Sequence, residues 1–399
     1  MNEAGHEAYL VGGGVRDLLL GARPKDFDIA TSAKPEEVRA LFRNCRLIGR
    51  RFRLAHVRFC REIVEVATFR AAHAPHDAEE RLTADGRLLS DNVYGTLEED
   101  AARRDFTVNC LYYDVRDFSV LDFADAMSDL RAGVLRMIGE PETRYREDPV
   151  RILRVVRFSA KLGFRPAPET EAPIRELSTL LGDIPPARLF EEMLKLLTTG
   201  HAEASLEALR RYDVLRYLFP QTASCIERGV DRAGLELVEQ AMRNTDARLA
   251  LDKPVTPGFL LAALLWPPLR AAEARLVAQG LDPRAALEQA AGEVISAQAE
   301  RVALPKRFSL MAREIWSLQS RLEGRDRHDA VALLGHPRFR AAYDFLLLRA
   351  EAREPVAELA QWWTELQALD GEEREAAIAA LPRTRRRRRG PRRRGKRVA

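Results

Sequence analysis

No uninterrupted apolar run in the 399-residue chain reaches the roughly 18 residues that a membrane-spanning helix needs. Its opening, Met1 to Glu7, is polar and lacks the apolar core of a secretory signal, so a cytoplasmic protein without a membrane partner is expected. Cysteine is scarce. Cys45, Cys60, Cys110 and Cys225 are scattered, with neither CxxC nor Cys/His ligand spacing, which argues against a zinc site and for reduced thiols. No fixed-period repeat is present, which excludes a solenoid. Acid is missing from residues 381–399, which hold eleven Lys or Arg. Without that segment 53 basic residues face 60 acidic ones, a net charge of −7 beneath the overall +4.

What is present is a mildly acidic globular body with a cationic tail. The tail, Arg385-Arg386-Arg387-Arg388-Arg389 followed by Arg392-Arg393-Arg394, cannot bury a core and is expected to be disordered. Its natural counter-charge is a phosphate backbone, bound without sequence preference. A solubilising or targeting tail is the plainer alternative.

The fold class reads as an α+β head followed by an all-α body. Tyr9-Leu10-Val11 predicts a strand running into Gly12-Gly13-Gly14, then a helix from Val15 to Leu20 ended by Gly21. Asp26 to Ala30 alternates as a strand, and Thr31 or Ser32 is expected to cap a helix carrying Pro35, Glu36 and Glu37 in its first turn. Leu54–Phe59 and Ile63–Phe69 predict a hairpin, residues 71–92 a polar loop, and Thr107–Val115 with Val120–Phe123 another hairpin. From residue 143 the pattern is helical: a helix opened by Asp148-Pro149 and closed by Gly163, Pro186 to Thr199, Ala202 to Leu218, and further proline-punctuated segments to about residue 380. The expected division is an α+β head (1–139), a helical neck (140–200), a helical body (201–380) and the tail (381–399). His328-Asp329 lacks further histidines at useful spacing and reads as surface.

The chemistry concentrates in the head. Glycines before a helix let backbone N–H groups approach phosphate oxygens. Asp26 and Asp28, two apart on a strand, are expected to point together while Phe27 and Ile29 face a core. Paired carboxylates suit Mg²⁺, which keeps substrate phosphates in its shell. Either motif alone is weak, and the ordered combination points to metal-assisted phosphoryl or nucleotidyl transfer. Glu65, on an apolar strand, is a candidate third metal carboxylate or else the partner of an arginine. Arg103, Asp105 and Asn109 could hold a triphosphate and ribose, or form a salt bridge and a capped helix end.

The run Val11-Gly12-Gly13-Gly14-Val15-Arg16-Asp17 to Asp26-Phe27-Asp28 resembles the first motif of class II nucleotidyltransferases of the polymerase β superfamily, the group of CCA-adding enzymes and bacterial poly(A) polymerases. Arg103-Arg104-Asp105 with Asn109 resembles the second motif, and Glu147-Asp148-Pro149-Val150-Arg151 the base-reading EDxxR motif. The likeness continues through Arg154-Val155-Val156-Arg157-Phe158, Pro305-Lys306-Arg307-Phe308 and His336-Pro337-Arg338-Phe339-Arg340-Ala341-Ala342-Tyr343-Asp344. It implies Asp26 and Asp28 as ligands of two Mg²⁺ ions (Mn²⁺ as substitute) and as catalytic residues together with Asp105. It implies nucleotide contacts at Gly12, Gly13, Arg16, Arg103, Asn109, Asp148 and Arg151.

Asp148 accepts hydrogen bonds and Arg151 donates them, a pair that suits the amine and unprotonated ring nitrogen of A or C and mismatches G and U. The structural alternative is that Asp148 is an N-cap and Arg151 a solvated helix residue. To separate A from C, the segment Leu47 to Val57 resembles the signature of bacterial poly(A) polymerases, with Arg50, Arg51 and Arg53 as specificity residues. A basic strand edge is the alternative for those arginines. The resemblance thus implies AMP transfer from ATP to RNA 3′ ends; a monomer is expected, and the charge of Arg385, Arg386, Arg387, Arg388 and Arg389 is expected to bind RNA. A CCA-adding enzyme and a non-catalytic RNA-binding protein are the rival readings. Some relatives begin further upstream of the glycine motif, so an N-terminal extension is expected to be absent or lost.

Overall fold

A computed structural model describes residues 1–49, 53–71, 93–227, 232–325 and 327–382. The polar loop expected at 71–92 and the tail at 381–399 lie almost wholly outside those residues. The chain forms two compact units, Met1–Ile184 and Pro185–Ala399.

The first unit is built on a seven-stranded sheet. Its strands are β1 (Ala8–Val11), β2 (Asp28–Thr31), β3 (Cys45–Ile48), β4 (Leu54–Phe59), β5 (Glu62–Thr68), β6 (Leu111–Tyr113) and β7 (Val120–Asp122), in the order β3-β4-β5-β2-β1-β6-β7. Only β2 and β5 pair in parallel; every other neighbour is antiparallel. Alternation sorts the side chains onto two faces. Tyr9, Val11, Ala30, Phe69, Cys110 and Tyr112 form one core, with Leu97 and Ala101 of helix α3, here the third helix of the unit, Leu97–Arg103. Ala55, Val57 and Val66 face the other way and pack with Ala33 and with Val38 of α2 (Pro35–Leu41). The first helix, α1 (Gly13–Leu19), follows β1 directly. Each fully buried Val or Leu is worth about 1.5–3 kcal/mol, so this two-sided burial holds the central strands in one register.

Several expectations shift in detail. Thr31 and Ser32 do not cap α2. Thr31 Oγ1 accepts from Ala33 N, Ser32 Oγ accepts from Glu7 N, and the cap position is Lys34, whose N–H is taken by Glu37 Oε2 at 2.6 Å. The segment Thr107–Asn109 is a single 3₁₀ turn, so the second hairpin begins only at Leu111. Strand β3 has no counterpart among the expected elements.

Two further helices complete the part of this unit that matters for the site: α4 (Pro141–Glu147) and α5 (Val150–Leu162), the latter closed by Gly163 at φ +67°. Just beyond, Arg165–Pro166 pairs in parallel with Val134–Leu135, which ties the end of α5 back to the head.

The second unit is helical among its described residues, as expected. Ala202–Leu218 is two helices, Ala202–Arg211 and Leu215–Leu218, broken where Asp213 takes φ +61°. Its core contains Trp266, Trp316 and Trp363, and each indole N–H finds an acceptor: Glu354, the Ala262 carbonyl and the Leu322 carbonyl. That satisfaction lets large amphipathic rings be buried without an orphaned donor. Asp329 pairs with Arg321, consistent with a surface reading of His328-Asp329. No described helix is long and apolar enough to cross a membrane.

Candidate active site

Gly12 links β1 to α1 with φ +74° and ψ −134°, a backbone conformation essentially reserved for glycine. Gly14 serves a different need. A Cβ there would lie 3.2 Å from the Asp26 carbonyl oxygen and 3.4 Å from the Phe27 ring, so its hydrogen lets the start of α1 sit against the segment that delivers the first acid.

That segment is not all strand. β2 begins at Asp28, and Asp26 lies just before it. The expected alternation therefore governs Asp28 but not Asp26. Phe27, expected in the core, is 40% exposed beside Gly14, while Ile29 does pack inward.

The tertiary fold supplies what local alternation could not. Asp28 is the register partner of Glu65 across the parallel β2–β5 pair, and Glu65 in turn is the register partner of His56 on β4. Paired residues share a face, so Asp28 and Glu65 stand side by side. His56 Nε2 lies 3.1 Å from Glu65 Oε1. Asp28 keeps access to solvent, yet crowding by surrounding atoms raises its carboxyl pKa, the negative charges of Glu65 and then Asp26 raise it further, and Arg104 opposes them. Three acids thus act on one another here. Among the described residues no three acids, histidines or cysteines are arranged as a ready metal cage.

Arg104, next to the expected Arg103, lies beside these acids. Its Nε donates to Tyr112 Oη at 2.8 Å and its Nη2 to Asp100 Oδ2 at 3.0 Å, while its guanidinium lies over the Tyr112 ring. Its Nη1 reaches within 3.5 Å of where a Gly12 side chain would be. Burial works against its charge, but Tyr112 and Asp100 more than compensate and hold its pKa above the usual arginine value. Arg103 is half-buried, and its carbonyl accepts from Arg144.

A second constellation runs from α1 to α5. Lys161 reaches Asp17, and Asp17 accepts twice from Arg16, which is only 1% exposed. Arg16 also donates to Asn109 Oδ1. Asn109 Nδ2 donates to Asp105 Oδ1 at 3.1 Å, and Asp105 Oδ2 accepts from both Nε and Nη2 of Arg154. Phe106 N–H also donates to Asp105 Oδ1. Asp105 is mostly shielded from solvent, which alone would raise its pKa; the Arg154 charge and these hydrogen bonds outweigh that and lower it. Arg16, Arg154 and Arg157 all lie over the Phe158 ring. The expected acid Asp105 is therefore the hub of a buried lattice. Sequence reasoning missed Arg154, though its i+3 spacing from Arg151 places both on one face of α5.

Asp148 and Arg151 sit at the α4–α5 junction, both half-buried. Asp148 Oδ1 accepts from Val150 N at 3.2 Å, but the N-cap of α5 is Pro149, without a side-chain cap, so Asp148 is not the N-cap that one of its two readings made it. Arg151 Nη1 donates to the Arg144 carbonyl at 2.6 Å and to Glu147 Oε2 at 3.0 Å. Of the specificity arginines, Arg53 pairs with Glu36 on α2, whereas Arg50 and Arg51 lie outside the described residues, as do Arg385, Arg386, Arg387, Arg388 and Arg389. The Cys110 thiol is pushed by burial up to about 12 and is inert packing.

The chain matches three family descriptions: "Poly A polymerase head domain" over residues 8–136, "Probable RNA and SrmB- binding site of polymerase A" over 163–226, and "Polymerase A arginine-rich C-terminus" over 279–397. It is 50% identical to "Poly(A) polymerase I" of Escherichia coli O157:H7 over all of this chain and 87% of that protein. It is 46% identical to the enzyme of the same name from Haemophilus influenzae over 95% of this chain and 85% of that one. A "CCA-adding enzyme" of Lactobacillus johnsonii is 39% identical over 53% of this chain and 50% of its own. Among solved structures, the Bacillus stearothermophilus CCA-adding enzyme in complex with CTP superposes with a TM-score of 0.59 at 26% identity, covering 91% of this chain and 78% of that one.

Proposed function

Since this chain belongs to the poly(A) polymerase family, and so adds AMP from ATP to RNA 3′ ends with release of pyrophosphate, we propose that Asp26, Asp28 and Glu65 together form its divalent-metal site. Two Mg²⁺ ions, with Mn²⁺ as substitute, would be held by Asp26 and Asp28, with Glu65 as the third ligand. The donor set fits. Mg²⁺ takes one or two carboxylates and fills its shell with water and substrate phosphate, so a ready cage of three side chains is not required. Burial raises the Asp28 pKa most, and the repulsion from Glu65 and Asp26 that adds to it is what a cation relieves. When bound, the ions supply charge neutralisation for the triphosphate and acidify the attacking hydroxyl.

The chain's own groups do the rest. Gly12 N–H is already committed to the Leu111 carbonyl, so phosphate oxygens fall to the N–H groups of Gly13 and Gly14. Arg104, fixed by Tyr112 and Asp100 beside Gly12, presents a fixed positive charge to the same phosphates. Asp105 has both oxygens engaged, so its part is positioning: it holds Asn109, through which Arg16 is held, and anchors α5 by Arg154. Arg103 then serves the nucleotide from the rim. On α5, Asp148 and the nitrogens of Arg151 other than Nη1 face the base and select A or C. Arg50, Arg51 and Arg53 narrow that choice to A. The division into head (1–139), neck (140–200), body (201–380) and RNA-binding tail (381–399) is retained, and the protein acts as a monomer in the cytoplasm.

The observation carrying the site assignment is the Asp28–Glu65 register beside Gly12 and Arg104. The test is incubation of the purified protein and a labelled RNA with each nucleoside triphosphate separately in Mg²⁺. Adenylate tracts from ATP alone are the expected product. Incorporation of CTP at a comparable rate would overturn the specificity assignment in favour of CCA addition. No transfer with either Mg²⁺ or Mn²⁺ would favour a silent RNA-binding protein.

A further inference from the structure

The second unit contains a cavity of about 540 Å³ that the adenylyl-transfer chemistry does not use. Its wall comes from the helix Arg232–Ala250, the turn after it, the start of the helix Pro257–Leu264, and the helices Lys306–Glu323 and Phe339–Glu351. Phe259, Met311 and Leu348 give it an apolar lining. Met311 is only 8% exposed, and Gly258 makes room for it: a Cβ at 258 would lie 2.9 Å from the Met311 sulfur.

The rim is cationic. Arg248, Lys253, Arg338 and Arg340 line the cavity against two acids, Asp344 and Glu351. Pairing shows where the remaining charge lies: Arg248 and Lys253 are left facing one carboxylate, Glu351. Arg340 is offset by Asp344 at 2.9 Å and Arg338 by Glu314 at 3.1 Å. Glu351 accepts from the Asn244 amide at 2.8 Å. Arg248 donates to a neutral carbonyl, that of Pro254, at 3.2 Å, and among the described residues no acid pairs with Lys253. The turn places these two together. Asp252 takes φ +53°, and Lys253 N–H returns to the Arg248 carbonyl at 2.9 Å.

A cavity of this size is in the range of small-ligand sites, roughly 300–1,000 Å³, and its polarity is divided as a nucleotide's is. A planar base suits an aromatic, thioether and aliphatic lining. A phosphate suits two cations at the mouth that no carboxylate pairs directly among the described residues. An uncharged peptide side chain would leave both cations unanswered.

We propose that this cavity is a second nucleotide site, holding a base against Phe259, Met311 and Leu348 and its phosphate at Arg248 and Lys253. The choice of adenine as probe rests on the adenylyl-transfer reading. The occupant is either a free nucleotide or one unit of an RNA strand, and the two are separable.

The test is photo-crosslinking of the full-length protein with 2-azidoadenosine 5′-monophosphate, and in parallel with an oligoadenylate carrying one 2-azidoadenosine, followed by peptide mapping. Labelling within 241–260 or 337–351 is expected. It should fall about tenfold when Arg248→Glu and Lys253→Glu are combined, since two charge-assisted hydrogen bonds to phosphate disappear together. Labelling by the monophosphate identifies a free-nucleotide site; labelling by the oligomer alone identifies a strand-binding site. Label confined to the first unit, or pocket label indifferent to the charge reversal, overturns the proposal. Both substituted residues are exposed, and circular dichroism confirms that the variant folds. Asp28→Ala, which tests the catalytic reading, leaves the pocket label unchanged, so the two can fail separately.

Discussion

Asp28 and Glu65 stand side by side as register partners across the one parallel strand pair of the sheet, although they are 37 positions apart in the chain. If they hold the catalytic ions with Asp26, removal of any one ligand forfeits several kcal/mol of transition-state stabilisation. Asp26→Ala and Asp28→Ala are each expected to lower AMP incorporation by about 10²-fold or more at saturating ATP. The far-UV circular dichroism should stay that of the parent. Activity within a few-fold of the parent would remove the metal assignment.

The raised pKa of Asp28 makes a prediction in pH. A metal ligand must be ionised, so Mg²⁺ affinity should rise with pH through the raised value and level off above it. Glu65→Gln removes one of the negative charges responsible. The acid limb of the rate profile at subsaturating Mg²⁺ should therefore move to lower pH, even as the maximum rate drops. An acid limb that stays put would mean the two carboxylates are not coupled.

Asp105 behaves in the opposite sense. Its folded pKa is lowered, so its stabilising effect is complete above the ordinary carboxyl value near 4 and is lost as pH falls through the lower folded one. Asp105→Asn should cost about 2–3 kcal/mol at neutral pH by breaking a buried charged contact with Arg154. The difference from the parent should shrink in acid. Urea unfolding at pH 7 and below pH 4, with Arg154→Met completing a double-mutant cycle, measures both the size and the coupling.

Gly12 and Gly13 adjoin in sequence and should differ in tolerance. Gly12→Ala forces a side chain into a glycine-only conformation, at about 1–3 kcal/mol. Gly13 has no positive φ, and a Cβ there meets only the Arg16 guanidinium, at 3.4 Å, an ordinary van der Waals contact. Melting temperatures of the two alanine variants should separate in that order. Equal tolerance would mean that the β1–α1 turn relaxes without loss.

Truncation after Pro382 removes the arginines at 385–389 and 392–394. RNA affinity should fall, and the slope of log affinity against log salt should flatten by about 0.7 for each phosphate of a single strand that is no longer neutralised. An unchanged slope would assign the tail another role.

Local patterning revealed β1, α1, the β4–β5 hairpin and the glycine-to-acid order because each rests on neighbours in sequence. It could not reveal the partner of Asp28, since β2 and β5 pair across an intervening helix and two strands. Nor could it show that Asp26 precedes the strand, which depends on the close fit of Gly14. Arg104 and Arg154 lie within recognisable motif segments, yet nothing in their immediate sequence sets them apart from neighbouring arginines. Their importance lies in contacts with Tyr112 and Asp105, the latter 49 residues away. The cavity of the second unit was illegible for the same reason, because its wall is drawn from segments spread across a hundred residues.

The parallel β2–β5 pair has one last consequence. Sliding either strand by a single position would turn Val66 outward and carry Glu65 away from Asp28 in the same movement. A molecule with misplaced acids is then also one with exposed valines, prone to aggregate or be degraded. Quality control that senses only greasy surface would thereby inspect the chemistry too, and the copies that survive it are those able to work.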